Sequence, residues 1–153
     1  MNMNKTDPNS RTFILGLGAQ KCGTTWLHSY LAENAHFNGG IAKEYHVWDA
    51  HDIPVMQHKK AKLFDLLRGG KKAVRFRMQK DDKFYFDYFA GLLDGTTTLA
   101  ADISPSYSGL SQRRLSFIKN EFSERGIATK AIFLVRDPLS RIKSAVRYNL
   151  RKR

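Results

Sequence analysis

The 153-residue chain has a single cysteine, Cys22, and only four prolines. One thiol excludes an intrachain disulfide and any cysteine-based zinc cluster, and it suits a reducing, cytoplasmic setting. No stretch approaches the ~18 consecutive apolar residues of a membrane span. The start, MNMNKTDPNSR, is polar and has no hydrophobic core of signal-peptide type. Internal repeats and low-complexity segments are missing as well. Acidic residues are scarce, 14 against 26 lysines and arginines, which leaves a formal charge of +12. Disorder is excluded by what remains: 42% of residues are hydrophobic and 12% aromatic, and the length suits one core.

The positive charge is concentrated rather than spread. Residues 59–83 carry ten basic and three acidic side chains, residues 136–153 carry seven and one, and the rest is near neutral. Two basic islands point to an anionic partner: a nucleotide phosphate, an acidic polysaccharide, a nucleic acid or a membrane surface. The first island also reads as a solubilising face.

Hydrophobic patterning predicts an alternation of strands and helices. Residues 12–17 form a short apolar run of buried-strand type, followed by a glycine turn and a helix from Thr24 to Asn34. A second short strand is expected over 37–42 and a helix over 55–67, stopped by Gly69-Gly70. An aromatic-rich helix over 83–93 precedes a strand over 97–103, which Pro105 ends. Residues 111–125 are amphipathic and Gly126 stops them. Residues 131–135 read as the most strongly buried strand. Asp137-Pro138 then opens a last helix that runs to the terminus. The expected fold is α/β, a P-loop-like three-layer α/β/α arrangement around a central parallel sheet, with residues 1–11 a disordered tail and 12–153 the domain. The last helix has no terminating signal, so the domain reads as incomplete at its carboxyl end.

The turn Gly16-Leu-Gly18-Ala-Gln-Lys21-Cys22-Gly23-Thr24-Thr25 has the chemistry of an anion site. Glycines let successive amides converge, a helix N-terminus follows, Lys21 adds a full charge and two hydroxyls can donate. It is neither of two better-known loops. The G-x-G-x-x-G fingerprint needs glycine where Lys21 stands, and the G-x-x-x-x-G-K-[ST] loop needs lysine where Thr24 stands.

K-C-G-T-T-W after an apolar strand resembles the 5′-phosphosulfate loop of sulfotransferases that use 3′-phosphoadenosine-5′-phosphosulfate (PAPS). Their second signature, an arginine ending a later strand and a serine eight residues on, is matched by Val-Arg136-Asp-Pro-Leu-Ser-Arg-Ile-Lys-Ser144. Lys43-Glu44-Tyr-His46-Val-Trp48-Asp49 and Asp102-Ile-Ser104-Pro105-Ser-Tyr107 resemble segments of the heparan sulfate 3-O-sulfotransferase group and its bacterial relatives. Asp102 stands where those relatives have glutamate, and Ile103 where many have lysine.

The resemblance implies a sulfuryl transfer from PAPS to a hydroxyl or amine of an acceptor, a carbohydrate being favoured, acidic or neutral. Lys21 would stabilise the leaving oxygen. Cys22, Gly23, Thr24 and Thr25 would surround the phosphosulfate, and Arg136 and Ser144 would hold the 3′-phosphate. Glu44 would be the base, with His46 its helper and Asp49 behind. Trp26 would stack on adenine, although by itself it reads equally as a core residue. No metal is called for in this scheme, and neither nucleic acid nor a membrane span is expected. Two alternatives compete: a nucleotide kinase or NTPase, and a non-catalytic polyanion-binding module. The aromatic cluster Phe84 to Phe89 reads as core before it reads as a sugar platform. Ser104 and Tyr107 either line the acceptor cleft or shape the turn.

Overall fold

A computed structural model describes residues 11–151. Residues 1–10 of the expected tail lie outside that range. Arg11 is anchored, donating from Nη2 to the Arg125 carbonyl at 2.6 Å.

The protein is α/β, built on an open, all-parallel sheet of three strands: β1 (Thr12–Gly18), β2 (Leu99–Ile103) and β3 (Ala128–Phe133). The order is β2-β1-β3. Strand periodicity divides the core between two faces. Phe13 and Leu15 of β1 and Ala100 of β2 face the larger cluster, whereas Ile14, Ala101 and Ile103 face the smaller one. The larger face is covered by α5 (Asp82–Leu92) and α6 (Gln112–Glu124), through Tyr85, Phe86, Phe89, Ile118 and Phe122. The smaller face is covered by α1 (Thr24–Ala32), through Leu27 and Leu31. The aromatic cluster is therefore core: Phe13 stacks on Phe122 at 4.1 Å and meets Phe89 edge-on at 4.8 Å.

Three expectations need correction. Residues 37–42 are not a strand. Phe37 makes one parallel bridge to Leu99, and Gly40 then takes φ +68°, which turns the chain away from the sheet. The expected helix over 55–67 is broken into a six-residue 3₁₀ helix, Pro54–Lys59, and a short α3 (Leu63–Leu67), preceded by α2 (Trp48–Asp52). Gly69 and Gly70, both at positive φ, do stop α3, but a further helix, α4 (Gly70–Lys80), starts at once. The third concerns β3. It runs from Ala128 to Phe133 rather than over 131–135 and is the least covered strand, although β2, the other edge of the sheet, is almost wholly buried. Ile132 and Leu134 pack on the α1 face, while Phe133 and Val135 point to the other side and are exposed.

The topology explains where a ligand fits. The loops after the adjacent strands β1 and β3 lie side by side at the carboxyl ends of the strands, where open parallel sheets bind their ligands. The last helix, α7 (Pro138–Leu150), starts there, capped by Asp137, which accepts from the Ser140 amide at 2.7 Å. Among the described residues no helix is long and apolar enough to cross a membrane.

Candidate active site

The loop after β1 is shaped by close approaches. A Cβ on Gly16 would lie 2.8 Å from the Ile103 Cα, and one on Gly18, at φ +108°, would collide with the Pro105 carbonyl. Only glycine lets β1 run against the Ser104-Pro105 turn. Lys21 follows at φ +64°, in the left-handed region that side chains other than glycine seldom adopt. Gly23 at φ +97° then starts α1 without any side-chain cap, so the amides of the first turn are open to an external anion.

The loop after β3 is tied to the first. Leu134 N donates to the Gly18 carbonyl at 2.8 Å, and the Leu134 carbonyl accepts from Ala19 N at 3.1 Å. Arg136 donates to the Lys21 carbonyl at 3.2 Å and Arg141 to the Gln20 carbonyl at 3.1 Å. The Lys21 ammonium lies 4.3 Å from the centre of the Tyr148 ring. Residues more than a hundred positions apart thus meet.

Two adjoining cavities result. The smaller, about 230 Å³, is lined by Lys21, Arg136, Lys143, Arg147 and Arg151, with Ser140 and Ser144 between them. Its chemistry is that of a phosphate pocket. The larger, about 590 Å³, shares Lys21, Ser144 and Tyr148 with it and continues past Thr24 and Thr25 to Lys43, Glu44 and His46. Of the residues expected from sequence, Lys21, Gly23, Thr24, Thr25, Glu44, His46, Arg136 and Ser144 line one cavity or both. Cys22 and Trp26 line neither. Cys22 turns its thiol toward the Gln20 carbonyl, and Trp26, 66% exposed, stacks on Tyr30.

At the far wall stands a chain of charges. Glu44 Oε1 pairs with Lys43 Nζ at 2.7 Å, and Lys43 also donates to Thr25 Oγ1 at 3.1 Å. Glu44 Oε2 lies 3.1 Å from His46 Nε2, and His46 Nδ1 lies 2.7 Å from Asp49 Oδ2. The Ser106 hydroxyl donates to the same Asp49 oxygen. Burial alone would push the His46 ring down, but the hydrogen bonds to Asp49 and Glu44 outweigh it and raise its pKa to about 9. Burial likewise works against the charge on Glu44, and His46 and Lys43 outweigh it, holding the carboxyl at about 2. Burial opposes the Asp49 charge too, yet His46 and Ser106 keep its pKa below the ordinary value. At neutral pH the row is Lys43⁺, Glu44⁻, His46⁺, Asp49⁻.

Sequence reasoning missed two of the residues that hold this row in place, Arg75 and Gln79. His46 sits at φ +53°, and its carbonyl accepts from Gln79 at 2.6 Å while the Glu44 carbonyl accepts from Arg75 at 3.0 Å. Both donors belong to α4. Asp102 is the other support. Fully buried, it accepts from the Tyr107 and Tyr85 hydroxyls at 2.8 and 3.1 Å, from Ser104 at 2.7 Å and from the Tyr45 amide at 3.3 Å. Ser104 in turn accepts from the amides of Tyr45 and His46. Ser104 and Tyr107 are buried and shape the turn. Burial pushes the Asp102 pKa up to about 6 despite the Ser104 and Tyr107 hydrogen bonds. Among the described residues no group of three or more His, Cys, Asp or Glu side chains is arranged to hold a metal ion.

No protein-family model and no curated protein matches the chain.

Proposed function

We propose that the protein is a PAPS-dependent sulfotransferase on a P-loop-like scaffold, passing a sulfuryl group to a carbohydrate hydroxyl or amine. The observation that carries this reading is the convergence of Lys21, Arg136 and Ser144 on a cationic pocket that opens directly onto Glu44 and His46. A nucleotide with phosphates at both 5′ and 3′ ends matches two anion sites, one at the start of α1 and one between Arg136 and Ser144.

In the proposed reaction the acceptor oxygen forms a bond to sulfur while the bond from sulfur to the 5′-phosphate oxygen breaks. The acceptor's proton goes to Glu44, and adenosine 3′,5′-bisphosphate leaves. Charge grows on the bridging oxygen, where Lys21 and the free amides of the first turn of α1 stabilise it. Glu44 is ionised before the acceptor arrives, so it is ready to accept. A donor anion beside Thr25 competes for Lys43, which removes one of the two partners that hold the carboxyl down and leaves His46 in place. His46 and Asp49 fix the direction of the carboxylate throughout.

Binding of adenosine 3′,5′-bisphosphate compared with adenosine 5′-monophosphate tests the assignment. The bisphosphate should bind more tightly, and Arg136→Ala should erase the difference. Equal affinities in the parent protein would remove the 3′-phosphate site.

A further inference from the structure

The hairpin formed by α3 and α4 carries a surface that the candidate site does not use. Leu63, Phe64 and Leu67 of α3 are 71%, 60% and 81% exposed, and Val55 of the preceding 3₁₀ helix is 79% exposed. No residue of α3 is buried, so its apolar side chains add nothing to the core. Leu63, Phe64 and Leu67, spaced i, i+1 and i+4, share one side of α3, and an exposed apolar patch marks an interaction. The same stretch, residues 59–72, holds Lys59, Lys60, Lys62, Arg68, Lys71 and Lys72 against one acidic residue. That residue, Asp65, is already engaged, accepting from the Lys62 amide at 2.8 Å and lying 3.7 Å from Arg68.

The occupant must satisfy both chemistries at once. A polysaccharide or nucleic acid meets the cations and leaves the leucines in water. A second copy covers the leucines and sets two cationic stretches against each other. An anionic bilayer accepts both: leucine and phenylalanine enter the boundary between headgroups and acyl chains, and the ammonium groups meet the headgroups. We propose that the α3–α4 hairpin docks on anionic lipid bilayers as a peripheral contact. Further along, α4 supplies Arg75 and Gln79 to the Glu44 and His46 carbonyls, so docking surface and candidate site share one helix.

Co-sedimentation of the full chain with phosphatidylcholine vesicles, with and without phosphatidylglycerol, tests this. The protein should sediment only when phosphatidylglycerol is present. The double variant Leu63→Ser/Leu67→Ser should bind roughly 10- to 100-fold more weakly while its retention on heparin stays unchanged. Lys60→Ala/Lys71→Ala/Lys72→Ala should lose about fivefold per cation, on the order of 10² in all. All five side chains are exposed, and circular dichroism checks that the variants fold. Failure to sediment with anionic vesicles would overturn the proposal. So would a serine variant that binds vesicles as well as the parent, the behaviour of a charge-only polyanion surface. A leucine-dependent dimer in light scattering, without vesicle binding, would assign the face to a second copy instead.

Discussion

Asp102 should make the protein less stable as pH rises through the mildly acid range, and replacing it with asparagine should remove that dependence. The folded carboxyl keeps its proton up to about pH 6, whereas the unfolded chain releases it near 3.8. The contribution is therefore fully present below 3.8 and is lost as pH rises through 6. Linkage over the whole shift comes to about 3 kcal/mol, of which about 2 kcal/mol falls between pH 4.5 and 6.5. That window is chosen because the neighbouring pairs are steady in it. Glu44, held at about 2, loses its stabilisation only as pH falls below 4.5, and His46, raised to about 9, loses its own only as pH rises above 6.5. Urea unfolding at both pH values, for parent and Asp102→Asn, yields the difference directly, with contributions common to both chains cancelling. The parent should lose about 2 kcal/mol more than the variant. If the variant does not fold, a carbon-detected NMR titration of the Asp102 carboxyl gives the same answer through its midpoint. A midpoint near 4, or a parent that follows the variant across the window, would refute the reasoning.

Other outcomes follow from the same geometry. Lys21→Ala should lower kcat by about 10²- to 10³-fold, as expected for a lost donor at a developing oxyanion, read from transfer of labelled sulfuryl groups. Arg136 is exposed, so Arg136→Ala should weaken bisphosphate binding by about 1.5–3 kcal/mol, the range of a charge-assisted hydrogen bond rather than of a buried ion pair. The His46 ring should titrate near pH 9 by NMR. Because its folded pKa is raised, its stabilisation is complete below 6.5 and disappears as pH rises through 9, and a midpoint near 6.5 would dissolve the charge row.

The candidate anion site is legible in the sequence because anion binding rests on local chemistry. Gly23 and the two threonines open a helix after a strand, and Arg136 lies in the short link between a strand and the next helix, so each half carries its own signature. Position along the sheet is less legible. An apolar run such as Ala131 to Val135 announces a strand but not whether both its faces are covered: Phe133 and Val135 are exposed, whereas β2, equally an edge, is buried. Arg75 and Gln79 were hidden for a different reason. They act on backbone carbonyls of a distant loop, and a carbonyl acceptor leaves no mark in the sequence around it. α4 itself was obscured by Gly69-Gly70, which end one helix and begin the next. Asp102 carries the signal of a carboxylate in an apolar strand, but the two tyrosines that share it come from separate elements, α5 and the turn after β2.

Calorimetric titration of the full chain with adenosine 3′,5′-bisphosphate, with ATP and magnesium, and with a single-stranded oligonucleotide tests the central claim most directly. The account predicts one tight site for the bisphosphate and no comparable affinity for the other two. Preference for ATP with magnesium or for the oligonucleotide, or no bisphosphate binding at all, would contradict it.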